Sequence, residues 1–102
     1  MISSAFKTFI EETLNKFPEV TWDRFSEGVN DYNHGFVWVF GWIAREDSYK
    51  DFAIIEFSKG TVSSVETSSA KYSKEFCERV DFVHVDCQRV EHTFKNVKSI
   101  QL

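Results

Sequence analysis

Leucine is nearly missing from this sequence: Leu14 and Leu102 are the only two in 102 residues. A core built mainly from leucine is therefore excluded. Pro18 is the single proline and glycine occurs four times, which excludes collagen-like and Pro/Gly-rich low-complexity chains. Two cysteines, Cys77 and Cys87, are too few for a disulfide-dense scaffold; they permit one bridge, and the expectation is a pair of reduced, partly buried thiols. No apolar run reaches the roughly 18 residues of a transmembrane helix. Ser3, Ser4, Lys7, Thr8 and Glu11 interrupt the stretch where a signal peptide needs a continuous apolar region. None of the asparagines opens an Asn-x-Ser/Thr acceptor. The expectation is a cytoplasmic protein with no membrane partner.

Chemical signatures are equally sparse. There is no G-x-x-x-x-G-K-[ST], no G-x-G-x-x-G and no G-x-S-x-G, so nucleotide cradles and serine-hydrolase elbows are excluded. The formal charge is −4, which leaves no whole-chain footprint for a phosphate backbone. Only the stretch from Arg89 onward is net positive, with Arg89, Lys95 and Lys98 against Glu91. Those three cations are the nucleic-acid candidates, although solvated chain ends commonly look like this.

What the chain has is rings. Aromatics make up 17% of it, including eleven Phe and three Trp, enough to replace leucine as the bulk of a core. Ile2, Phe6, Phe9, Ile10, Thr13, Leu14 and Phe17 recur at i, i+3, i+4 and i+7, which predicts an amphipathic helix over 3–17. Ser3 or Ser4 is placed to cap it, and Pro18 forbids its continuation.

Beyond Glu19 the period becomes two. Val20, Trp22, Arg24 and Ser26 alternate with Thr21, Asp23, Phe25 and Glu27, a partly solvated strand. The turn-rich run Gly28 to Gly35 ends it. Residues 36–44 (FVWVFGWIA) are apolar without interruption. Phe36, Trp38, Phe40 and Trp42 share one face, and Val37, Val39, Gly41 and Ile43 share the other. Such a strand belongs at the centre of a sheet, and Gly41 within it points to a bulge or a close approach. Asp51–Phe57 reads as a second core strand. Ser58 to Thr61 is a hairpin with Gly60 in a left-handed position, and Thr61–Thr67 returns with Val62 and Val65 on opposite faces. Helical spacing resumes over 70–79, and Val80–Cys87 alternates as a strand. From Gln88 the pattern fits a helical stripe or a strand.

Several constellations have chemical potential, each beside a plainer explanation. The aromatic row on 36–42 has the spacing of a base-stacking platform but no Arg or Lys within it. The favoured expectation is that these rings pack under the N-terminal helix. Two strands apolar on both faces still need covering twice, so Val37, Trp38, Val39 and Trp42 are interface candidates, and a two-fold homodimer is expected. Cys77, His84, Cys87 and His92, spaced C-x6-H-x2-C-x4-H, are the metal candidates. However, His84 and Cys87 point to opposite faces of a strand, and the spacing matches no zinc knuckle or finger. Asp31 and His34 in the first loop form a candidate acid–base pair for a ligand-binding or hydrolytic site. Backbone hydrogen bonding in a turn explains the same residues.

In size and composition the chain resembles short orphan reading-frame products of viruses, including those of archaeal filamentous viruses. That resemblance rests on no motif and transfers no functional residue. It implies a host-takeover, assembly or regulatory role, in the host cytoplasm, acting through binding to itself or to a host protein.

The sum is one α+β domain over 1–102: an N-terminal amphipathic helix on a four- to five-stranded antiparallel sheet. The expected function is that of a small interaction protein that self-associates and uses no cofactor. Nucleic-acid binding through the basic chain end, and a small ligand or hydrolytic site near Asp31 and His34, are the alternatives.

Overall fold

The computed structural model describes residues 3–29, 35–47, 49–58, 60–68, 70–80 and 98–99; for 70–73, 77, 98 and 99 it describes the backbone alone. Helix α1 (Ser4–Leu14) leads into β1 (Val20–Val29), β2 (Gly35–Ala44), β3 (Lys50–Ser58) and β4 (Thr61–Thr67), followed by α2 (Ala70–Arg79) and β5 (Lys98–Ser99). The strands make one antiparallel sheet in the order β4-β3-β2-β1-β5. The α+β architecture is the one expected, with β5 as a two-residue fifth strand. The expected strand over 80–87 lies outside the described residues.

Helix α1 begins where a cap is available. Ser3 is extended, and its hydroxyl accepts from the Phe6 amide at 3.1 Å, satisfying one of the first-turn donors that a helix leaves unpaired. The helix ends at Leu14, three residues short of the expected Phe17. Tight turns replace it: the Lys16 amide donates to the Thr13 carbonyl and the Phe17 amide to the Leu14 carbonyl. A last turn carries the chain through Pro18, with the Val20 amide donating to the Phe17 carbonyl at 3.1 Å, and Phe17 is 1% exposed and belongs to the core.

The helix does not cover the aromatic face of β2. Burial along β2 alternates so that Val37, Val39, Gly41 and Ile43 are buried while Phe36, Trp38, Phe40 and Trp42 are half-buried. The core cluster joins Ile10, Leu14 and Phe17 to Val37, Val39 and Ile43. Phe6 and Phe9 meet Phe57 edge-on, with ring centroids 6.4 and 6.0 Å apart, and Phe57 pairs with Val37. The physical reason is volume. Over the central strand, rings from the helical segment and Phe57 fill the space above small and β-branched side chains, and a second row of four rings there would overfill a close-packed interior.

Helix α2 joins the same face. Phe76 packs on Phe17 with ring centroids 4.6 Å apart and planes tilted by 44°, and the Arg79 guanidinium lies over both rings while pairing with Glu19. Val80 completes this end of the core. Both helices therefore lie on one side, and the aromatic row of β2 is on the other.

Two bulges break the simple alternation. In β1 the register shifts between Trp22 and Arg24, so Trp22 and Phe25 both reach the helix side, while Thr21, Arg24 and Ser26 share the aromatic side. In β4 the register shifts at Ser63, and Val62 pairs with Phe57 while Val65 pairs with Ile55. Val62 and Val65 are thus both core residues on one face, at 3% and 0% exposure, not on opposite faces as simple alternation predicts. An extra residue in one strand produces this switch.

Gly41 marks a close approach. A Cβ there would sit 2.5 Å from Val20 Cγ1 and 2.9 Å from the Thr21 carbonyl oxygen. Gly60, at φ +74°, takes the left-handed position expected of it in the β3–β4 turn.

Two substitutions test this packing by urea denaturation. Phe57→Ala removes the ring that Phe6 and Phe9 rest on, and stability should fall by about 3–5 kcal/mol. Gly41→Ala forces backbone and Val20 apart, and should cost about 2–3 kcal/mol despite adding a single methyl group; an unchanged midpoint would refute the close approach.

Candidate functional site

The aromatic side of the sheet is the most distinctive surface. Along β2 it presents Phe36, Trp38, Phe40 and Trp42. From β1 it receives Ser26, Arg24 and Thr21, and from β3 Glu56, Ile54 and Phe52, each directly opposite a ring. The rings pack along the strand: Phe36 and Trp38 lie 4.7 Å apart with planes at 37°, and Phe40 and Trp42 lie 4.9 Å apart edge-to-face. Phe36 also lies across Gly28, where an added Cβ would be 2.5 Å from the ring, so the glycine makes room for the ring. Ile54 and Ser26 are buried on this face, while the four rings of β2 and Phe52 are half-buried.

A carboxylate anchors the row. The Trp38 indole N–H donates to Glu56 Oε1 at 3.0 Å, and the Ser63 and Ser64 hydroxyls donate to Oε2 at 2.9 and 3.4 Å. Ser63 also donates to the Glu56 carbonyl at 3.2 Å. One side chain thus ties β2, β3 and β4 together and fixes the ring plane of Trp38. At the opposite flank Arg24 is 55% exposed at its side chain and pairs with Asp23 at 3.0 Å.

A second polar cluster is structural. The Ser68 hydroxyl donates to buried Asp51 Oδ1 at 2.7 Å and accepts from the Phe52 amide at 3.2 Å, while Arg45 stands 3.6 Å from Asp51. These contacts close the ends of β3 and β4. The Ser68 amide also donates to the Phe52 carbonyl at 3.2 Å, so the Ser68 contacts hold backbone on both strands.

The residues expected to be functional fall into three groups. Trp38 and Trp42 are on the aromatic face. Val37 and Val39 are not available to an interface: at 3% and 0% exposure they lie in the core on the other side, because neighbours in a strand point oppositely. Asp31, His34, His84, Cys87, Arg89, His92 and Lys95 lie outside the described residues, as do the side chains of Cys77 and Lys98. Among the described residues no group of three His, Cys, Asp or Glu is placed to hold a metal ion, and no helix is long and apolar enough to cross a membrane.

Sequence reasoning missed Glu56, Ser63 and Ser64, although a signal existed. Once Ala44 is opposite Lys50, counting back along both strands puts Trp38 opposite Glu56. The bulge that brings Ser63 beside them had no such signal.

Comparison with known proteins finds no matching family model, no matching curated protein and no matching solved structure.

The Glu56 anchor is testable by a double-mutant cycle. Glu56→Ala should lose about 1–3 kcal/mol, because three donors lose their shared acceptor. Trp38→Phe in that background should cost measurably less than it does alone. Additive effects would show that the indole–carboxylate contact contributes nothing.

Proposed function

We propose that this chain acts by binding, not by catalysis, and that a second copy of itself docks on the aromatic face of the sheet. The observation that carries this reading is the contiguous set Phe36, Trp38, Phe40, Trp42 and Phe52 on the side opposite both helices. Tryptophan and other rings dominate binding energy at protein interfaces, since they bury large areas while losing few rotamers. Here the rings already contact one another, and Glu56 holds Trp38, so little freedom remains to be lost on association.

Charge supports a two-fold arrangement. Arg24 lies on the β1 flank of the row, and Glu56 lies on the β3 flank. A two-fold axis running along β2 lays the β1 flank of each copy over the β3–β4 flank of the other. Each Arg24 then faces the acidic side of its mate, and the interface is self-complementary. A viral accessory protein acting on host machinery would use a surface of the same kind, and its resemblance in size and composition agrees with that role.

Sedimentation velocity decides the matter. The wild-type chain should form a dimer at micromolar concentration, Trp42→Arg should be monomeric with an unchanged far-UV spectrum, and Arg24→Glu should weaken the dimer in a salt-dependent way. A wild-type chain that remains monomeric at high micromolar concentration sinks the proposal.

A further inference from the structure

We draw no further inference here: the strongest candidate, the cavity of about 800 Å³ between the N-terminal end of α1 and the β1–β2 hairpin, shares Phe36 with the aromatic sheet face already described, and nothing in the structure shows what occupies it.

Discussion

The structure depends on a fit of large against small across one layer. Phe6, Phe9 and Phe17 come from the helical segment, and Val37, Val39, Gly41 and Ile43 come from the central strand. The rings supply volume that the strand withholds. Turning β2 over would set four more rings beneath those of the helix, and a close-packed layer has no space for both. With this contact made, the rest follows: Trp22 closes over Gly41, Phe76 brings α2 against Phe17, and the aromatic row of β2 is left to the opposite face.

The bulges in β1 and β4 adapt the outer strands to that layer. In β1 the extra residue lets both Trp22 and Phe25 contribute to the helix side, which an unbroken alternation forbids. In β4 it does the same for Val62 and Val65, and it delivers Ser63 to the Glu56 carboxylate. One irregularity therefore serves the core on one side and the anchored ring row on the other. The indole of Trp38 is oriented by a group that a straight strand would have left with one hydroxyl fewer.

These features give the two faces different capacities. The helix side is committed to folding. The far side concentrates rings that are mutually packed and hydrogen-bonded, which lowers the entropy lost when a surface is covered. Rigid rings with a charge at each flank are suited to recognition. The Glu56 carboxylate and the Ser63 and Ser64 hydroxyls beside it hold the Trp38 indole, and the buried Asp51–Ser68 pair joins strand ends.

Local chemistry alone determined much of this protein. Ser3 and Pro18 bracket the first helix, alternation and turn residues mark the four main strands, Gly60 sets its hairpin, and the uninterrupted run 36–44 belongs at the centre of the sheet. Gly41 announced a close approach that Val20 and Trp22 supply. All of these are signals between residues a few positions apart, where backbone sterics and period suffice. The tertiary structure alone decided which face of β2 the helix covers, since both faces are apolar and only the volume of distant partners separates them. It alone decided the two bulges, because an inserted residue is read from its pairing strand, and it brought Ser63 and Ser64 to Glu56. A strand carries its two faces in its own sequence, but which becomes core depends on what the rest of the chain sets against it.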